Sequence, residues 1–66
     1  DDPLSGRELE VLRKIAMGSS NKIIAAELNV AESTVKSHIK SIMSKLNAND
    51  RTHAVTIAAR RGFIDG

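Results

Sequence analysis

Apolar residues recur at intervals of three and four along the whole chain, as in amphipathic helices, and the alternating, β-branched runs that make strands are missing. Breakers interrupt the pattern at Gly18-Ser19-Ser20, at Asn29, between Asn47 and Asp50, and at Gly62, which predicts four helices and an all-α fold. The first helix opens at Ser5, where Glu8 completes a capping box and Leu4 and Leu9 hold the two positions of a hydrophobic staple. Leu9, Leu12, Ile15 and Ala16 then share one face, Glu10 and Lys14 are spaced for an i,i+4 pair outside, and Gly18 supplies the stop. Ser20 can cap a second, two-turn helix through Leu28, with Ile23, Ile24 and Leu28 facing inward and Ala25 and Ala26 allowing close approach.

The break at Asn29 and Val30 is so short that the second and third helices must cross at a large angle, which is a helix-turn-helix. The third helix, from Glu32 to about Leu46, separates two faces. Val35, Ile39, Ile42, Met43 and Leu46 form an apolar stripe, and Ser33, Lys36, Ser37, Lys40, Ser41 and Ser44 fall within an opposite arc of about 140° that holds no acid. The last helix starts with Asp50 as N-cap and runs to about Arg61, offering Ala54, Val55, Ile57 and Ala58 to the core. Gly62 then turns Phe63 and Ile64 back onto it.

Sixty-six residues suffice for one compact four-helix domain, 1–66, and leave little core to sacrifice to an enclosed substrate cavity. With no cysteine, packing must supply the stability that disulfides or thiolate metal sites give other small folds. No apolar run approaches a membrane span or a signal peptide, so the expected location is cytoplasmic, with no membrane partner. The net charge of +2 permits a polyanionic partner without demanding one. Phe63 is the one aromatic besides histidine, so stacking platforms for unpaired bases have no material and a nucleic-acid partner would be a duplex.

The Lys36, Ser37, Lys40 face is where such a duplex would be read. Lysine ammonium groups donate to guanine O6 and N7 or neutralise phosphates, and short serines let the helix backbone sink into a major groove about 12 Å wide. The competing reading is a solvated helix face. Position on the second helix of a tight pair favours the groove.

Together the segments Leu4-Ser5-Gly6-Arg7-Glu8-Leu9-Glu10-Val11-Leu12, Ser20-Asn21-Lys22-Ile23-Ile24-Ala25, Glu32-Ser33-Thr34-Val35-Lys36-Ser37-His38-Ile39-Lys40 and Lys45-Leu46, with Asp50-Arg51-Thr52, closely resemble the LuxR-type helix-turn-helix domain of NarL/FixJ response regulators and quorum-sensing regulators. The resemblance spans essentially the whole chain. It implies the output domain of a bacterial transcriptional regulator that binds double-stranded DNA as a homodimer, with the third helix in the major groove. Lys36, Ser37 and Lys40 would face bases. Ser20, Asn21 and Lys22 would meet a phosphate at the second helix's start, with Ser33, Thr34, His38, Ser44 and Lys45 as further phosphate candidates. Thr52, Val55, Thr56 and Ala59 would form the dimer ridge. The closing Arg61-Gly62-Phe63-Ile64 resembles response regulators more than quorum sensors, implying the C-terminal part of a longer chain with an upstream receiver domain and a sensor kinase. No cofactor and no enzymatic activity are implied.

Departures from the family pattern accompany the match. Ala31 stands where a Ser or Thr usually caps the recognition helix, a loss of about 1 kcal/mol that Ser33 or the turn backbone would have to offset. Gly6, Ile23 and Glu27 replace a frequent Pro, an acid and an Arg, and Ser37 is too short for a thymine-methyl contact. Of the rival chemistries, His38 and His53 lie on different helices without a cysteine or paired acid, a poor zinc site, and no serine sits in a nucleophile elbow. The third helix lacks the Trp or Phe anchors of a membrane-surface helix. The main alternative is a helical protein-interaction module that binds through Thr52, Val55, Thr56 and Ala59.

Overall fold

A computed structural model describes residues 4–64, so the outermost positions of the expected 1–66 domain lie outside the described residues. Four helices carry them: α1 (Gly6–Ala16), α2 (Asn21–Leu28), α3 (Glu32–Leu46) and α4 (Arg51–Arg60). Three starts are capped by the expected side chains. The Ser5 hydroxyl accepts from the Glu8 amide at 3.1 Å while the Ser5 amide donates to Glu8 Oε1 at 2.8 Å, closing the capping box. Ser20 accepts from the Ile23 amide and Asp50 from the His53 amide. At α3 no side chain caps the helix, so Ser33 does not replace the hydroxyl that Ala31 lacks. The turn backbone contributes instead, with Thr34 and Val35 both donating to the Ala31 carbonyl.

All four helices end in one way. The amides of Ser19, Val30, Ala48 and Phe63 reach back five residues to the carbonyls of Lys14, Ala25, Met43 and Ala58, at 2.8 to 3.0 Å. Each closure needs a left-handed residue just before the donor, and Gly18, Asn29, Asn47 and Gly62 supply it. Asn29, at φ 57° and ψ 46°, therefore sets the angle between α2 and α3 in a link of three residues.

Helix α3 lies at the centre, packed on α1, α2 and α4. Its Val35, Ile39, Ile42 and Leu46 are buried with Val11 and Leu12 of α1, Ile24 and Ala25 of α2, Ala54 and Ala58 of α4, and Ile64. Phe63 and Leu4 pack at the margin. Two expected faces are turned. In α1, Val11 is fully buried and Ala16 exposed, because the inward face includes Glu8 and is rotated by about 60° from a purely apolar reading. In α2, Ile23 is 50% exposed and Ala26 is exposed, since Ile24, Ala25 and Leu28 fill the contact with α3. No described helix is long and apolar enough to cross a membrane.

Candidate nucleic-acid interface

The outer surface of α3 carries Ser33, Lys36, Ser37, Lys40 and Ser44, all exposed. Their i, i+3, i+4 and i+7 spacing lines them up while Val35, Ile39 and Ile42 anchor the opposite side in the core. Among the described residues, Lys36 and Lys40 have no acidic partner within ion-pair distance. Lys40, Ser37 and Ser44 border a shallow depression shared with Ser41 and Lys45. Thr34 and His38, both half-buried, flank this surface.

One residue of the expected exposed arc and one phosphate candidate are engaged by Glu8. Ser41, placed by periodicity on the exposed arc, is half-buried and donates its hydroxyl to Glu8 Oε2 at 2.6 Å. The Lys45 ammonium, expected at a phosphate, lies 2.7 Å from Glu8 Oε1. Glu8 itself is 4% exposed, and no buried side-chain polar atom among the described residues lacks a partner. Burial alone would push its pKa up. The bonds from Lys45, Ser41 and the Ser5 amide outweigh burial and bring the pKa down from 4.5 to about 2, so the carboxylate stays ionised. The capping role of Glu8 is legible in the sequence, whereas its joining of α1 to α3 is not. Partners that lie 33 and 37 residues away in sequence leave no local signal.

At the start of α2 the structure brings together more than the sequence reading named. Ser20 and Lys22 are exposed, and the side-chain carbonyl of Asn21 accepts from an Arg51 guanidinium nitrogen. Arg51 thus adds a fixed cation beside the phosphate-binding candidates of α2, visible beforehand only as part of a motif on another helix. Lys14 reaches across to Glu27 at 3.0 Å rather than pairing with Glu10, so the acid at position 27 has a scaffold partner. On α4, Thr52 and Thr56 are exposed, Val55 and Ala59 half-buried, and the Thr56 hydroxyl donates to the Thr52 carbonyl. His53 accepts the Asn49 amide at Nδ1, so this nitrogen belongs to the α4 turn.

A helix-turn-helix held this way, with its second helix at once core and exposed cationic surface, agrees with direct comparison. Residues 2–58 match the family described as bacterial regulatory proteins, luxR family, and the chain belongs to it as a DNA-binding helix-turn-helix domain. It is 51% identical over 63 residues to the transcriptional regulatory protein YxjL of Bacillus subtilis, covering 96% of this chain and 29% of that protein. It is 52% identical over 62 residues to the probable transcriptional regulatory protein NarL of Mycobacterium tuberculosis, covering 94% and 29%. The crystal structure of the response regulator ChrA, from a heme-sensing two-component system, superimposes with a TM-score of 0.92 at 42% identity, over 97% of this chain and 32% of that one. The chain therefore spans about three-tenths of the length of these relatives.

Proposed function

We propose that the chain is the output domain of a cytoplasmic two-component response regulator, placing α3 in the major groove of double-stranded DNA and taking no catalytic part. One observation carries this reading: Lys36, Ser37 and Lys40 share an exposed face on the second helix of the pair, and among the described residues no acid neutralises either lysine. Lys36 and Lys40 reach base edges, and the short Ser37 lets the backbone come close. Ser20, Asn21 and Lys22 hold a phosphate at the α2 start with Arg51 beside them, and Ser33, Thr34, His38 and Ser44 contact the backbone around the groove. The chain's coverage of only about three-tenths of its relatives, one of them a response regulator of a two-component system, supports an upstream receiver domain controlled by a sensor kinase.

Two copies bind adjacent half-sites about one helical turn apart, meeting through the Thr52, Val55, Thr56 and Ala59 ridge of α4. The small side chains there, and the Thr56 hydroxyl turned onto its own helix, leave a surface that another helix can approach. Ala59→Glu retains the fold and removes two-site binding in a gel-shift series. Equal two-site binding by the variant places the dimer surface elsewhere.

Fluorescence anisotropy of the parent and of Lys36→Ala/Lys40→Ala, on duplex DNA and matched single strands across a salt series, tests the reading as a whole. A duplex preference, a steep fall of log K with log salt, and a shallower slope in the variant are the expected results. Weak, salt-insensitive binding that the variant leaves unchanged would make the lysine face a solvated surface and favour a protein-interaction module.

A further inference from the structure

Three lysines lie on α3, and the third differs from the others in what holds it. Lys45 borders the same shallow depression as Lys40, on the surface that meets DNA in the function proposed above, and the present inference rests on that function. Its ammonium is nevertheless drawn to the inner side of the helix by Glu8, at 2.7 Å. The Glu8 carboxylate is nearly sealed from water, with its side chain 6% exposed, so water competes poorly for the pair. Both carboxylate oxygens are used: Oε1 takes Lys45 and the Ser5 amide, and Oε2 takes the Ser41 hydroxyl.

We infer that Glu8 is a positioning residue that limits sequence-independent affinity for DNA: by holding the Lys45 ammonium and the Ser41 hydroxyl against the start of α1, it keeps a cation at the edge of the recognition face from neutralising a DNA phosphate. A phosphate contact strengthens binding to every sequence alike, adding about 0.9 to the slope of log K against log salt for each phosphate neutralised. A uniform contact cancels in the difference between preferred and random sites, so withholding it lowers sequence-independent retention on DNA and leaves base readout unchanged. A lysine locked to a carboxylate is close to neutral as seen from a phosphate several ångströms away. Released, its flexible four-carbon stem lets the ammonium swing toward the depression beside Lys40. The Ser41 bond adds a second tie between α3 and the same carboxylate, on the side of the helix that the core already holds.

The test is a cycle of four proteins, the parent, Glu8→Gln, Lys45→Met and the double variant, each titrated by anisotropy against a random-sequence duplex over a salt series. Glutamine fills the space of Glu8 and still serves the capping box at its position, and circular dichroism melting identifies the variants that remain folded. Glu8→Gln is expected to bind random duplex more tightly at low salt, with a slope steeper by about 0.9. Lys45→Met and the double variant are expected to keep the parent slope, which assigns the increment to the released Lys45. Loosened structure alone would weaken binding without steepening its salt dependence. Four equal slopes, or a slope already shallower in Lys45→Met, would overturn the inference, the second because it puts Lys45 on a phosphate in the parent. The double variant, which removes both charges and strands neither, keeps its comparison with the parent usable even if a single variant fails to fold. A parent with no salt-dependent duplex binding overturns the proposed function itself, and this inference with it, and is distinguished from failure of the Glu8 role by the parent curve alone.

Discussion

Lys40 and Lys45 are the same residue on the same helix, less than two turns apart, and the fold uses them in opposite ways. Lys40 is exposed and has no acidic partner among the described residues, whereas Lys45 is 28% exposed in its side chain and joined to a buried carboxylate. Their location on a cationic helix does not distinguish them. What does is the residue across the helix–helix contact: α1 brings Glu8 to the level of Lys45 and brings no acid to the level of Lys40. A positive face is therefore defined by which of its charges remain unpaired, and counting lysines on a helix wheel overstates it.

The largest effect is expected where this difference is removed at its source. Glu8→Ala takes away the capping-box partner and leaves Lys45 and Ser41 without their acceptor, which should lower the unfolding free energy by about 2–3 kcal/mol in urea denaturation. A loss within the range of an ordinary exposed cap, about 1 kcal/mol, would mean that the α1–α3 link is dispensable. Acid should act on the same group. The folded pKa of Glu8 is depressed from 4.5 to about 2, so its contribution is complete above pH 4.5, declines as the unfolded chain takes up a proton, and is gone once the pH falls below about 2. That difference corresponds to about 3 kcal/mol, and the stability profile of Glu8→Gln should be flatter through the same window. Superimposable profiles would remove Glu8 as the source of acid sensitivity.

At the other lysine the effect belongs to binding rather than folding. Lys40→Ala should cost about 1–3 kcal/mol on a selected site and relax the sequence preference, while Lys22→Ala, at a phosphate, should weaken all sequences about equally. Uniform loss in both variants would sink base readout by Lys40. The smallest change is a gain: Ala31→Ser restores the missing cap of α3 and should raise stability by about 1 kcal/mol, read as an increase in the urea midpoint. No gain would show that the Ala31 carbonyl, already shared by the Thr34 and Val35 amides, leaves the helix start with little to improve.

Much of this was legible in the sequence because it is local. The Ser5, Ser20 and Asp50 caps, the break at Asn29 and the apolar stripe of α3 each follow from residues within a turn or two of one another. So does the exposure of Lys36, Ser37 and Lys40. The reading failed where a polar residue belongs to the core. The apolar period of α1 takes in Ala16 and leaves out Val11 because it gives no weight to Glu8, which the structure buries, and the bonds from Ser41 and Lys45 to Glu8 have no local signal. Lys14 was assigned to Glu10 for a similar reason, since spacing along one helix says nothing of an acid on the next. The two-turn α2 offered three large apolar side chains, and only the contact with α3 decides that Ile24 enters and Ile23 does not.

Lys36, Ser37 and Lys40 are exposed, and none of them holds a helix cap, fills the core or makes an ion pair among the described residues. The side chains proposed to choose a DNA sequence are thus not the ones that maintain the fold. Substitutions at these three positions should therefore change DNA preference, on the proposed function, at little cost in stability. Ser41 and Lys45, on the same helix, do not have that freedom, because Glu8 ties their identity to the start of α1.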